Sequence, residues 1–187
     1  VAAWTRQDQA VVNQIFLAAL DSAPPFLQAG HRGDSTEARR LLDEDPNNAR
    51  LVEEVTGRTA LMMAAIKGDA EMMRLLLDAP GTAVNQSNAL GDTALGIASD
   101  KGHAACVKLL LAAGDIDVNL ANMWGSTPLM YAAVQGNLSI ARLLLAAPTI
   151  DITLRDEEGH TAREWAVQKS HKPIVRALDA FAKAPKA

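Results

Sequence analysis

The stretch that decides the fold is Gly125-Ser126-Thr127-Pro128-Leu129-Met130-Tyr131-Ala132-Ala133-Val134-Gln135-Gly136-Asn137. Related stretches open at Gly57 and at Gly91, and a degenerate one opens at Gly159. Successive opening glycines are 34 residues apart. A fixed period in this range indicates a solenoid of stacked helical repeats rather than a globule with one central core.

Each copy has the features of a helix-turn-helix unit. Thr127 is placed to cap a helix with its hydroxyl, and Pro128 follows in the first turn, where its missing N–H costs nothing. The small pair Ala132-Ala133 allows close helix packing, and Gly136 ends the helix. A second helix carries the apolar triplet 143–145, which is expected to face the neighbouring unit. The sequence therefore predicts an all-α protein.

The recurring motifs resemble those of the ankyrin repeat. Gly-x-Thr-Pro/Ala-Leu, Ala-Ala-x-x-Gly, Leu-Leu-Leu and Val-Asn follow one another over about residues 26–178. The period is one residue longer than the 33 usual in that family. The resemblance implies an ankyrin-repeat solenoid of about five helix-turn-helix repeats with short β-hairpin loops. It also implies a protein-binding module rather than an enzyme.

The chain divides into segments on this basis. An amphipathic stretch at residues 8–20 is expected to cap the first repeat, with a partner-binding helix as the alternative. In the last unit Arg163 replaces a leucine and Ser170 replaces a glycine, which suits a C-terminal cap. The expected segments are an N-terminal capping helix (1–25), a divergent repeat (26–56), repeats 57–90, 91–124 and 125–158, a capping repeat (159–181) and a tail (182–187).

Composition narrows the function classes. The net charge is −4 with no Lys/Arg run, so a nucleic-acid partner is not expected. No apolar run reaches the ~18 residues of a membrane span. Phosphate-loop and nucleophile-elbow motifs are absent, so no cofactor is expected. The chain alone is expected to be a monomer.

Cys106 lies at an apolar helix position and is predicted to be a buried thiol. Val1-Ala2-Ala3 would suit a signal-peptidase site, which leaves bacterial periplasm and cytoplasm both open.

Candidate binding residues follow from the repeat. In such a repeat the positions beside the opening glycine and the two positions before the helix-ending glycine are expected to be exposed. The resulting set is Arg58, Ile66, Lys67, Leu90, Asp92, Asp100, Lys101, Met123, Trp124, Ser126, Val134, Gln135, Glu157, Glu158 and His160.

Trp124 is the most informative member of this set. Hairpin tips are normally polar, yet Met123 and Trp124 place two large apolar side chains there, and Leu90 occupies the preceding tip. With Ile66 and Val134 they would form an apolar patch typical of a protein interface. The alternative is that Trp124 folds back onto Leu90 or Met130 and serves packing.

Several other residues have structural interpretations. Tyr131 and Trp165 fall at an inward position and are predicted to be core residues. His103 and His171 follow or replace the helix-ending motif, where a structural hydrogen bond is expected.

Three functions compete at this stage. The leading hypothesis is a protein-binding module, and its sharper form is an inhibitor or immunity-type protein that neutralises an enzyme. A structural spacer is one alternative. A metal-dependent enzyme using His160 with Asp156, Glu157 or Glu158 is another, although the sequence offers no supporting ligands for it.

Overall fold

The computed structural model describes residues 23–184, so the predicted helix at residues 8–20 lies outside the described range. Within that range ten α-helices follow one another in consecutive pairs. They are α1 (Pro25–Arg32), α2 (Ser35–Glu44), α3 (Ala60–Lys67), α4 (Ala70–Asp78), α5 (Ala94–Lys101), α6 (Ala104–Leu111), α7 (Pro128–Gln135), α8 (Leu138–Leu145), α9 (Ala162–Gln168) and α10 (Lys172–Lys183), with a 3-10 helix at Pro46–Arg50 after α2. The predicted all-α solenoid is confirmed.

The helices form two layers. The first helices of the pairs (α1, α3, α5, α7 and α9) pack on one another in an inner layer. The second helices (α2, α4, α6, α8 and α10) do the same in an outer layer, and each packs on its own partner. The main contacts of each described pair are with its neighbours along the stack, which is the arrangement that a repeat sequence specifies. None of the helices in the described range is long and apolar enough to cross a membrane.

Threonine side chains start four of the inner helices, α3, α5, α7 and α9. The hydroxyl of Thr59 accepts a hydrogen bond from the Met62 N–H at 3.2 Å, and Thr93 caps α5 in the same way. Thr127 caps α7 and Thr161 caps α9, where Glu164 completes a capping box. Each cap satisfies a backbone donor that a helix start otherwise leaves unpaired. The four threonines thus fix where the inner helices begin.

Small residues and leucines make the core. The pairs Ala64-Ala65, Ala98-Ser99 and Ala132-Ala133 are fully buried, so the inner helices pack closely against the outer ones. Cys106 is also fully buried, and this burial raises the pKa of its thiol. The predicted structural role of Cys106 is confirmed, since a protonated and inaccessible thiol is unreactive.

Histidines tie successive pairs together. The ring nitrogen Nε2 of His103 lies 3.3 Å from the Ile66 carbonyl oxygen, and Nε2 of His171 lies 3.1 Å from the Val134 carbonyl oxygen. Each bond joins the start of an outer helix to the end of the preceding repeat's inner helix. The structural hydrogen bonds expected of these two histidines are therefore present.

The C-terminal boundary differs from the expected one. Helix α10 continues to Lys183 and so includes residues 182 and 183, the first two of the expected tail. Alanines at positions 180 and 182 favour helix over coil. The Arg163 guanidinium also binds the Asp179 carboxylate, with Nε and Oδ1 2.6 Å apart, which holds α10 against α9. The alanines therefore favour the additional helical residues, and the ion pair stabilises the packing of the last helix.

Candidate functional site

The candidate site is built on the hairpins that join one pair to the next. Their backbones close through bonds such as Asn122 N–H to Ser126 C=O at 3.1 Å and Asp156 N–H to His160 C=O at 3.1 Å. Only two isolated antiparallel bridges, Val52 with Thr59 and Ser87 with Thr93, occur in the described range. The predicted hairpin loops are therefore tight turns rather than extended strands.

An amide or carboxylate three residues before Gly91, Gly125 and Gly159 supports the tip, and Glu53 has this role four residues before Gly57. The Asn122 side-chain oxygen accepts bonds from the backbone N–H groups of Trp124 and Ser126, both at 3.0 Å. Asn88 does the same in the preceding hairpin, and Asp156 accepts the His160 N–H in the last. These side chains hold the tip in one conformation. They were not in the predicted set, although the 34-residue spacing of Asn88, Asn122 and Asp156 is visible in the sequence.

Backbone hydrogen bonds also connect each tip to the next. Ala89 N–H donates to Thr56 C=O at 2.9 Å, Met123 N–H to Leu90 C=O at 3.0 Å, and Glu157 N–H to Trp124 C=O at 3.0 Å. The four tips therefore form one continuous surface. We call residues 55–58, 89–92, 123–126 and 157–160 the tip ridge.

Two glycines make this stacking possible. Gly91 and Gly125 adopt φ angles of 80° and 75°, which side chains rarely tolerate. A Cβ on Gly91 would lie 2.8 Å from the Met123 backbone nitrogen, and a Cβ on Gly125 would lie 2.8 Å from the Asp156 Cα. Successive tips can approach this closely only because no side chain stands between them.

The middle of the ridge is apolar and exposed. Leu90 is 40% exposed, Met123 57% and Trp124 46%. The Met123–Leu90 backbone bond places these side chains on adjacent tips. Met130 is buried at the start of α7. We call Leu90, Met123 and Trp124 the tip cluster.

Some predicted positions are less accessible than expected. Ile66, Val134 and Asp100 are only partly exposed at the ends of α3, α7 and α5. The histidine of the following repeat covers the carbonyl groups of Ile66 and Val134. These residues flank the ridge and do not project from it, so the expectation of full exposure is corrected for them.

Arg58, Asp92, Ser126 and His160 are also partly buried beside the opening glycines. Burial lowers the pKa of Arg58, while Glu53 and Asp92 act in the opposite direction.

Asp92 illustrates this inward role. Its carboxylate accepts hydrogen bonds from the Tyr131 hydroxyl and from the Asn122 side-chain amide, both at 3.1 Å. Asn122 also donates to the Tyr131 hydroxyl oxygen at 2.7 Å. Burial, together with the Asp92 charge, raises the pKa of Tyr131. Tyr131 is therefore half-buried with its hydroxyl in a polar network, which corrects its assignment to the apolar core.

Trp165 has a similar place in the last unit. It is half-buried, and its indole N–H donates to the Asp156 carboxylate at 2.5 Å. The His160 ring packs against it, with ring centroids 4.8 Å apart. The expectation of simple core packing is corrected here too, because the indole joins a polar cluster at the ridge.

The inner-helix ends carry a polar bridge. The Asp100 carboxylate lies 2.9 Å from the Lys101 ammonium and accepts a bond from the Gln135 side-chain amide at 2.7 Å. The bridge therefore spans from α5 to α7. All three residues belong to the predicted set, and the structure brings them together.

The ends of the ridge differ in charge. Lys67 and Arg58 lie at the first end near His31, whose pKa is lowered mainly by burial and then by Lys67, Arg58 and Arg32. Glu157 and Glu158 are exposed at the other end, where Glu158 lies 3.6 Å from His160. The tip cluster lies between a basic end and an acidic end.

The metal-enzyme hypothesis has no geometric support. In residues 23–184 no three His, Cys, Asp or Glu side chains are grouped so that they could hold a metal ion. Asp156, one of the proposed ligands, binds the Trp165 indole and the His160 backbone.

Comparison with known families agrees with the geometry. A family model described as ankyrin repeats (3 copies) matches residues 26–122, just over half of the chain, and one described as ankyrin repeats (many copies) matches residues 110–166. This chain is an ankyrin-repeat protein. No curated protein matches it. Ankyrin repeats are generally protein–protein interaction modules and are typically non-catalytic. In this ankyrin-repeat protein the tip ridge is the surface that the hairpins present.

Proposed function

We propose that this protein binds a folded protein partner through the tip ridge and the adjoining ends of the inner helices. The observation that carries the proposal is the exposure of Leu90, Met123 and Trp124 on adjacent, backbone-linked tips. Large apolar side chains on a rigid surface bury well in a partner, and tryptophan is enriched among residues that dominate binding energy.

The charges on either side indicate what the partner surface carries. Arg58 and Lys67 lie toward one end of the ridge, and Glu157 and Glu158 toward the other. A complementary partner has an apolar projection or pocket for the tip cluster, flanked by acidic groups on one side and basic groups on the other. Such complementarity sets orientation and association rate more than affinity.

A sharper form of the proposal is that the protein inhibits an enzyme by covering its active-site cleft. The support is the shape of the ridge, which is continuous, stiffened by side-chain and backbone hydrogen bonds, and long enough to span several repeats. A preorganised surface loses little entropy on binding. A structural spacer is the second candidate, and it would need no exposed tip cluster.

The test is affinity capture with the wild-type protein and with Leu90→Ala/Trp124→Ala, followed by identification of the partner and measurement of its affinity. Each truncated side chain should cost at least ~1 kcal/mol, so the double variant should bind at least about 30-fold more weakly. Arg39→Ala is the matched control, because Arg39 is exposed on the outer helix α2 and lies outside both the ridge and the inner-helix ends. Its binding should equal that of the wild type.

The outcomes separate the candidates. A partner held equally by the double variant and the wild type would contradict the ridge as the binding site. If the partner is an enzyme, its activity should fall in proportion to the bound fraction. Full activity at saturating inhibitor concentration would contradict the inhibitor form while leaving the binding function intact.

A further inference from the structure

A column of basic residues runs along the outer layer. One lies at the same position in each outer helix, 34 residues apart, and all are exposed. The column consists of Arg40, Arg74, Lys108, Arg142 and Arg176. It lies on the outer helices, whereas the tip ridge is formed by the hairpins that join one pair to the next.

The first part of the column is accompanied by carboxylates. Arg40 binds Glu37 and Glu44, three residues before and four residues after it on α2. Arg74 has Glu71 and Asp78 at the same two offsets on α4. Side chains at these offsets are neighbours on a helix surface. Carboxylates therefore stand beside the column on α2 and α4, although among the described residues only Arg40 forms ion pairs with them.

The last part of the column has no such acids. The two offsets around Lys108, Arg142 and Arg176 carry only Ala, Ser or Pro, namely Ala105, Ala112, Ser139, Ala146, Pro173 and Ala180. In residues 23–184 none of these three cations lies within ion-pair distance of a carboxylate. Asp179, three residues after Arg176, binds Arg163 instead, with Oδ1 2.6 Å from Nε. The three side chains form a row of uncompensated cations.

Open grooves adjoin these cations. One groove, of about 500 Å³, lies at the C-terminal ends of α6 and α8 and the loops that follow them; Leu111, Ala112, Leu143 and Ala146 line it, with Lys108 at its edge. The groove between α8 and α10 measures about 460 Å³, and both Arg142 and Arg176 line it. The small residues beside the cations therefore have two effects. They leave the positive charges unpaired, and they keep the grooves open.

We infer that this row, Lys108, Arg142 and Arg176 with the two adjoining grooves, binds an acidic amphipathic segment of a second protein. Packed helices are ~8–10 Å apart, so the three cations repeat at about that interval. Seven residues of an α-helix rise about 10.5 Å. A helix with a carboxylate every seventh residue therefore matches the row, and apolar side chains between the carboxylates fill the grooves.

Other anionic partners fit this surface less well. A planar membrane cannot fill concave grooves, and stable lipid attraction generally takes about 4–8 clustered basic residues. Nucleic-acid binding generally rests on more phosphate contacts than three cations supply, and the chain's net charge is −4. The inference is independent of the tip ridge, because the hairpins that form the ridge share no residue with the row.

The test uses a synthetic helical peptide of about 21 residues with Glu at every seventh position and Leu between, measured by fluorescence anisotropy at low salt. Each exposed charge pair contributes only modestly to affinity, so Lys108→Gln/Arg142→Gln/Arg176→Gln should weaken binding about tenfold in total. Arg40→Gln/Arg74→Gln is the matched control from the same column. It should bind within about twofold of the wild type, because those cations are accompanied by acids.

Three further measurements complete the test. The single variant Arg142→Gln, in the middle of the row, should weaken binding about threefold, and circular dichroism should show that all variants remain folded. The Leu90→Ala/Trp124→Ala protein should bind the peptide as the wild type does. Equal binding by the triple variant, an equal loss in the control pair, or capture by anionic phosphatidylserine vesicles in preference to the peptide would overturn the inference.

Discussion

The hairpins that open at Gly125 and Gly159 have nearly the same backbone but different surroundings. Their φ angles are 75° and 79°. A Cβ on Gly125 would lie 2.8 Å from the Asp156 Cα, whereas a Cβ on Gly159 would meet nothing within 4 Å among the described residues. The first tip has another stacked on it, and the second is the last of the described hairpins. The repeat therefore sets local conformation, and position in the stack sets how much each residue contributes to stability.

The largest expected effect comes from Gly125→Ala. An L-residue in the left-handed region costs ~1–2 kcal/mol, and the added methyl group must also displace the backbone of the next tip. We expect the free energy of unfolding to fall by about 3 kcal/mol, as measured by urea denaturation.

Gly159→Ala isolates the conformational part of that effect. It carries the same penalty for a positive φ without the contact, so we expect a loss of only about 1–2 kcal/mol. Equal losses in the two variants would contradict the idea that tip stacking distinguishes them.

The sequence predicts the repeating backbone well because each of its requirements is local. Thr127 caps the helix that follows it, and the 34-residue spacing of the opening glycines specifies the turns. His103 and His171 also behave as expected, since their bonds join adjacent repeats at fixed offsets. A pattern read one repeat at a time is sufficient for these features.

The parts of the candidate site that the sequence did not predict depend on contacts between repeats. Tyr131 appears apolar by its position, but it meets Asp92 from the preceding hairpin. Ile66 and Val134 appear exposed by position, but a histidine 37 residues later covers each of them. Such contacts require the superposition of one unit on the next, which a single repeat does not contain.

Asn122→Ala tests the contacts between repeats directly. The variant removes two backbone acceptor bonds and also the amide N–H bonds to Asp92 and Tyr131. At net values of ~0.5–1.5 kcal/mol per hydrogen bond and with a buried hydroxyl left poorly paired, we expect a loss of about 2 kcal/mol. The measurement is thermal unfolding followed by circular dichroism.

Asn88→Ala is the matched comparison, because the Asn88 oxygen accepts the same two tip bonds, from Leu90 and Asp92 at 2.9 Å. We expect a loss of about 1 kcal/mol. If both variants lose the same stability, the Asp92–Asn122–Tyr131 network contributes nothing beyond the turn itself.

The smallest expected effect concerns the other end of the last unit. Ser170 has a φ of 61°, where the regular repeats place Gly68, Gly102 and Gly136. Ser170→Gly should relieve the left-handed penalty, partly offset by the entropy of glycine in the unfolded chain, and so stabilise the protein by about 0.5–1 kcal/mol. Lys169→Gly is the control, because Lys169 has a φ of −83° and gains nothing from glycine. The melting temperature of Lys169→Gly should fall, while that of Ser170→Gly should rise. A fall in both variants would mean that the Ser170 side chain stabilises the turn by more than the left-handed backbone of Ser170 destabilises it.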